Sequence, residues 1–467
     1  MTQTNVNQML RLTAGILGCW LGLVASAWSA EMQMQKQAAP SAQSGVSPTG
    51  KLLTIEDAVR IGLDNHPRIR SASERIGSQQ AILGQQMSAY YPTISSSNFY
   101  RTGTSGSTGV VNTTANDAFN SQLTFNMTLY NFGKREGNVQ AARETLEASK
   151  EDYETTNQDI ILAIKQAYYN YLTAQAIVNV RKDTVRNRDL LVKQAQGFYE
   201  VGTRARIDVA RAEANLYTAQ ADLIAAENAV KIAWVTLRNA MGSPRLPEQP
   251  VADDSPEVTF SMDLAGARNV AFDARTELKS FEAQKRASDQ LIATARRGHL
   301  PDIILDAFYG RTHKSGDAPP LTQTFPLKPV WQLQLSLNIP IFDGFRTTNR
   351  VEETLHNYYN VKAQEEDRRQ QIALEVEQSY LRVVETQERI KATESAAKAA
   401  KENLDLAQGR YQVGVGSIIE VTDAETLYTD AQTTYIRTIY DYKIADAQLA
   451  RAMGDTRVGV LKPGSIK

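Results

Sequence analysis

The chain has 467 residues, with 51 basic and 52 acidic side chains, a formal net charge of −1 and a single cysteine. A near-neutral balance without a long basic run gives no footing for nucleic-acid binding, and one cysteine excludes a disulfide framework. No segment past the N-terminus approaches the roughly 20 apolar residues of a membrane-crossing helix.

Residues 1–27 read as an export signal: Arg11, an apolar run over 12–24 and the small-x-small site Ala25-Ser26-Ala27. Cys19 reads as part of the apolar run, which Trp20, Leu21 and Leu23 continue past it. The alternative is an acylation site after Ile16-Leu17-Gly18. Residues 28–50, rich in Gln, Ala, Ser and Met, read as a disordered leader.

A helix is predicted from Ile55, broken at Asn65-His66-Pro67 and resumed to about Ala89. Pro92 then opens extended chain, and Leu123, Phe125, Met127 and Leu129 alternate with Gln122, Thr124, Asn126 and Thr128. That period of two predicts a strand with one apolar and one uncharged polar face. Its partner spans about 93–101, across a Gly/Ser/Thr-rich loop, so the hairpin covers about 91–131. Residues 138–196 lack Gly and Pro and carry a stripe of Ile160, Ile164, Ala167, Tyr168, Tyr171 and Leu172 at 3–4 spacing. A helix this long with a narrow apolar stripe packs as a coiled coil. A glycine-containing turn from Gly197 to Gly202 closes it, and a second helix runs to about Met241, with Gly242 at its cap.

After a linker at 249–263 the same order returns. A helix covers about 264–297, with Asp273 at the matching break, and ends at Pro301. A second hairpin covers about 300–342, where Trp331, Leu333, Leu335, Leu337, Ile339 and Ile341 alternate with polar residues or Pro340. A second uninterrupted helix spans 345–408, its turn lies between Gly409 and Gly416, and a last helix runs to Met453 before Gly454. Residues 457–467 form a tail. Tyr199-Glu200-Val201-Gly202 recurs as Tyr411-Gln412-Val413-Gly414, and Ala240-Met241-Gly242 as Ala452-Met453-Gly454, at one offset of about 212 residues. The module at 51–248 is therefore duplicated at 264–456.

Four strands of roughly 10 residues, apolar on one face, have the length and pattern of an outer-membrane barrel facing lipid and enclosing water. Four strands cannot close, and an open edge cannot face lipid. Two chains give eight strands and a filled interior; three give twelve and room for a channel. A trimer is therefore expected if the protein conducts. The lipid-facing residues are Trp331, Leu333, Leu335, Leu337, Ile339, Leu123, Phe125, Met127 and Leu129.

The duplicated order, with Val201-Gly202-Thr203 to Ile207-Asp208-Val209, Val413-Gly414 to Ile419-Glu420-Val421, Asp423-Ala424-Glu425 and Leu53-Thr54-Ile55-Glu56-Asp57-Ala58, resembles the TolC family of outer-membrane ducts. The resemblance covers about 52–454. It implies a mixed α and transmembrane-β protomer of a homotrimer, with a 12-stranded outer-membrane β-barrel continued by a 12-helix periplasmic α-barrel. It further implies a periplasmic adaptor, an inner-membrane pump of RND or ABC type, and a role in tripartite efflux or type I secretion. The tips Val201, Gly202, Thr203, Val413, Gly414 and Val415 are expected to meet the adaptor. Glu420 and Asp423 take the positions of the family's acidic ring at the tunnel's narrowest point. Tyr411 and Asp208 match its closure network, but Gly416 stands where that network has an arginine; Arg204 or Arg206 is the candidate replacement.

No catalytic set is visible. His66, His299, His313 and His356 are scattered, no metal-ligand spacing occurs, and no phosphate-binding glycine loop is present, so neither enzyme activity nor a cofactor is expected. The alternative from another class is a periplasmic coiled-coil adaptor. Adaptors carry one helical hairpin between compact β-domains, whereas this chain has two hairpins and lipid-type strands.

Overall fold

A computed structural model describes residues 52–105, 114–253, 262–314 and 327–454. The export signal, the leader with Cys19, the hairpin loops and the tail from 457 lie outside the described residues.

Each repeat opens with a broken helix. In the first, α1 (Ile55–Asn65) is capped by Thr54, whose Oγ1 accepts from the Asp57 N–H at 3.1 Å. The chain breaks at His66, whose Nδ1 accepts from the Arg68 N–H, and α2 (Pro67–Met87) starts with proline at its first position, where no donor is missed. Two strands follow, β1 (Thr93–Ser105) and β2 (Thr114–Tyr130), then α3 (Lys134–Glu200) and α4 (Arg206–Ala240). The second repeat gives α5 (Leu264–Ala274), α6 (Thr276–Arg296), β3 (Asp302–Lys314), β4 (Lys328–Asn338), α7 (Arg346–Gln412) and α8 (Ile418–Ala452). The second break falls at Arg275, two residues beyond the expected Asp273.

The offset of 212 carries α3 onto α7 and α4 onto α8 residue for residue, 67 and 35 residues in each case. At about 1.5 Å per residue, α3 and α7 each reach roughly 100 Å. They run through Gly197 and Gly409 rather than stopping there. The chain turns instead at Gly202 and Gly414, whose φ of 73° and 84° lie in the left-handed region. At the far end of α4, Gly242 (φ 64°) closes a Schellman cap and lies against the break of α1 and α2; a Cβ there would sit 2.6 Å from the His66 Cα. Gly454 meets Ala274 and Arg275 in the same way.

The strands form one antiparallel sheet in the order β1-β2-β3-β4, so the two hairpins join through β2 and β3. One face carries the aligned rows Ile94–Phe125–Ala307–Leu333, Leu123–Tyr309–Trp331 and Met127–Leu305–Leu335. The other carries Thr124, Asn126, Gln332, Gln334 and Ser336, linked along β4 by side-chain hydrogen bonds. That face is less purely uncharged than β2 and β4 suggest, because β3 adds Asp306, bonded to the Asn126 amide, together with Phe308. A bulge between Thr128 and Tyr130 takes Leu129 out of the alternation and puts Tyr130 opposite Ile303. The strand β4 ends at Asn338, so Ile339 is exposed but outside the sheet.

Three apolar cores hold the helices. One packs Ile160, Ile164, Tyr168 and Leu172 of α3 against Trp234 and Leu237 of α4 and Met241 just past its end, with α1 beside them. Its second-repeat counterpart uses Ile372, Val376, Leu449 and Met453, with Val383 buried and Val384, the position matching Leu172, half-buried. The third, near the tips, joins both repeats. The early part of the expected linker is also packed. Val251 bridges Leu53, and the Tyr168 hydroxyl donates to the carbonyls of Leu53 or Ala252, at 3.0 and 2.6 Å.

Candidate functional site

The apolar sheet face is open. Trp331 is 74 % and Leu335 67 % exposed, Leu333, Leu337, Leu123 and Leu129 are exposed, and Phe125 and Met127 are half-buried among their neighbours. Exposed Tyr91, Tyr130, Phe342 and Phe345 surround the junction with the helices, a girdle of the kind found where barrel meets headgroups. Sequence reading had not singled it out. Beneath it, cations hold the strand–helix turns. Arg135 lies 3.9 Å over the Tyr90 ring and donates to the Ala89 and Thr128 carbonyls; Lys134 reaches Asp302 at 3.0 Å; Arg297 donates to the Gly133 carbonyl.

At the opposite end the two hairpin tips lie side by side. Val201, Gly202, Thr203, Val413, Gly414 and Val415 are all exposed. With Ile207 and Ile419 they make an apolar crown. Arg204 turns inward: its Nη2 donates to the carbonyl oxygens of Gly414 at 3.0 Å and Gly416 at 2.6 Å, and its guanidinium sits 5.7 Å from the Tyr411 ring centre. Tyr411 is fully buried, edge-on to Phe198, and its hydroxyl has no hydrogen-bond partner among the described residues. Burial and the nearby Asp208 push its pKa up, against the pull of Arg204. Arg206 is exposed. Of the two candidate arginines, Arg204 is the one brought to the second tip.

Glu420 and Asp423 are exposed at the start of α8. The Glu420 N–H is capped by the Ser417 hydroxyl, and its carboxylate lies 3.3 Å from the Arg410 Nε, so part of its charge is compensated within the chain.

Two buried polar clusters escaped the sequence reading. Behind the tips, Arg188 of α3 reaches Glu425 of α8 at 3.2 Å and the Asn215 carbonyl at 2.9 Å. Burial raises the Glu425 pKa and Arg188 opposes it. Higher up, the Arg275 side chain is 0 % exposed and grips Glu277 at 2.8 and 2.9 Å and Glu375 at 2.8 Å. Arg368 and Arg451 converge on the same Glu277, and Arg451 also reaches Asp159 of the first repeat. The only sequence hint was charge at a helix break.

A duplicated chain with one open apolar sheet and paired long helical hairpins defines a class, the outer-membrane channel-tunnels. The solved structure of the outer membrane protein VceC from Vibrio cholerae matches with a TM-score of 0.71 at 19% identity, over 86% of this chain and 96% of that one. The chain belongs to the Outer membrane efflux protein family, which it matches over residues 59–243 and 268–455, one stretch per repeat. It is 24% identical over 322 residues to the outer membrane protein TolC of Vibrio cholerae, covering 68% of this chain and 72% of that protein. It is 26% identical over 318 residues to TolC of Escherichia coli K12, covering 65% of this chain and 62% of that protein. The chain thus spans less than two thirds of the latter's length.

Proposed function

We propose that the protein is a passive outer-membrane export duct: a homotrimer whose twelve strands close a barrel and whose helices continue it as a periplasmic tunnel. Family membership supports the outer-membrane channel reading, and one observation carries the ring. Inside the chain, α3 is flanked by α6 above and α8 below, while its counterpart α7 has no such helices packed on its outer flank among the described residues. The faces left free match those that are covered. Tyr217, Ile224 and Ile232 of α4 are exposed, while their counterparts Thr429, Ile436 and Ile444 of α8 are buried or half-buried. Leu374 and Leu381 of α7 are exposed, while Leu162 and Tyr169 of α3 are half-buried. Repeating the step from first to second repeat brings α2 and α4 of another copy against α7, and its β1 against β4. That step satisfies both sheet edges, which lipid would otherwise leave unpaired.

In this reading the apolar strands face lipid, the tips meet a periplasmic adaptor, and an inner-membrane pump supplies the energy. Glu420 and Asp423 ring the narrow end, Glu420 more weakly because Arg410 faces it. The purified protein in detergent is expected to have the mass of three chains and to conduct ions in planar bilayers. A non-conducting monomer in the membrane fraction would overturn the proposal.

A further inference from the structure

Two phenylalanines interrupt the polar face of the sheet, which is built mostly of Ser, Thr, Asn and Gln. Phe99 pairs with Asn120, and Phe308 lies between Thr124 and Gln332. The duplication relates them. The strands β1 and β3 have 13 residues each, 209 positions separate Thr93 from Asp302, and the same step carries Phe99 onto Phe308. Equivalent positions share a level in the proposed ring, so six phenylalanines would form one belt around the lumen. Twelve strands about 4.8 Å apart and tilted about 40° give a wall roughly 24 Å across. The belt therefore lines the passage without closing it.

The two positions differ in their neighbours. Two residues beyond Phe99 stands Arg101, whose guanidinium lies 5.7 Å from the Phe99 ring centre. That is a cation on the electron-rich face of a ring. The position equivalent to Arg101 is Gly310, which supplies no cation and has no room for one. A Cβ there would stand 2.5 Å from the Ser121 carbonyl oxygen. Two residues before Phe308 stands Asp306, where the first repeat has Ser97. Residues two apart on a strand share a face about 7 Å apart. The Asn126 amide binds Oδ1 of Asp306, and Oδ2 accepts from no described residue. Both Phe308 and Asp306 are half-buried, so each still presents surface. The first repeat thus fills its ring with its own cation, while the second sets a ring without one beside a carboxylate.

We propose that Phe308 and Asp306 form a binding site, three per ring, for organic cations with an aromatic body. The body packs on the Phe308 ring, and the positive charge lies between that ring and the Asp306 carboxylate. The proposal rests on the ring proposed above, which turns this face toward the lumen.

Block of the full-length protein in planar bilayers tests it, with two permanent cations of similar bulk, benzyltriethylammonium and tetraethylammonium, added on the outer side. The aromatic cation is expected to block wild type at a concentration at least threefold lower than the aliphatic one. Phe308→Ala should remove that difference, Phe308→Tyr should keep it, and Gln332→Ala on the same face should leave it unchanged. Asp306→Asn should weaken block by both cations, and benzenesulfonate should block no better than methanesulfonate. If wild type is not a conducting trimer, the ring fails and the site with it. If it conducts but does not tell the two cations apart, or if Phe308→Ala trimers of normal size still do, the ring stands and the site is overturned. A preference for benzenesulfonate over methanesulfonate as large as that between the cations, or an Asp306→Asn trimer blocked like wild type, overturns the assignment to cations.

Discussion

Glu277 is the residue whose loss should be felt most away from the tips. Its carboxylate accepts from Arg275 at 2.8 and 2.9 Å, from Arg451 at 2.8 Å and from Arg368 at 3.1 Å. Burial by itself would raise its pKa, but Arg451 and Arg275 outweigh burial and hold it at about 2, from an ordinary 4.5. A carboxyl so depressed contributes about 3 kcal/mol of folded-state stability. The sign follows from the direction. The contribution is complete above about pH 4.5 and is lost as the pH falls toward 2. Glu277→Ala removes it at every pH and leaves the fully buried Arg275 and the largely buried Arg451 short of a partner, a change that typically costs about 3–5 kcal/mol. Urea unfolding at fixed protein concentration and neutral pH should therefore show a loss of about 3 kcal/mol or more. Wild type should lose a similar amount between pH 4.5 and the acid limit, and the variant should not. A cost below about 1 kcal/mol, or an unchanged acid sensitivity, would refute the reasoning.

Leu335→Arg should impair membrane assembly by about 2–4 kcal/mol, while Gln334→Arg on the opposite face should be mild; equal tolerance in a folding assay in lipid would place lipid elsewhere. Replacing Glu420 and Asp423 together by Ala should weaken cation preference and block by multivalent cations in planar bilayers, with little gain in conductance, because in the proposed ring the helices themselves narrow the tip. The smaller share should come from Glu420, so Asp423→Ala alone should move the reversal potential further than Glu420→Ala alone. Bulky replacements at Gly202 or Gly414 should abolish export from trimers of normal size; loss of the trimer would make these residues turn formers only.

Much of the architecture was legible because it rests on local signals. Prolines at 67, 92 and 301 mark breaks, alternation marks the strands, and the uninterrupted runs before the tips mark the coiled coils. The exact helix ends were not, because a glycine such as Gly197 or Gly409 costs a long packed helix only about 1 kcal/mol and does not by itself stop it. The bulge at Leu129 needs cross-strand register, which alternation along one strand cannot supply. At the tips the sequence left Arg204 and Arg206 open, since the deciding contacts are with carbonyls some 210 residues away. The charged cluster was invisible for the same reason. Arg275 and Glu277 look like solvated residues at a helix start, and their partners Glu375 and Arg451 come from distant helices.

The equal residue counts of the two hairpins have a consequence for the rim. Since α3 and α7 match in length, as do α4 and α8, the two tips of a chain stop level with one another. A ring of such chains would end in a flat lip of six equivalent points, which a partner of higher rotational order could abut without stepping. Removing one heptad from both arms of a single hairpin would retract every second point by roughly 10 Å and leave a notched edge. Removing it from both hairpins would keep the lip flat and shorten the duct, so its reach across the periplasm can change only in paired steps.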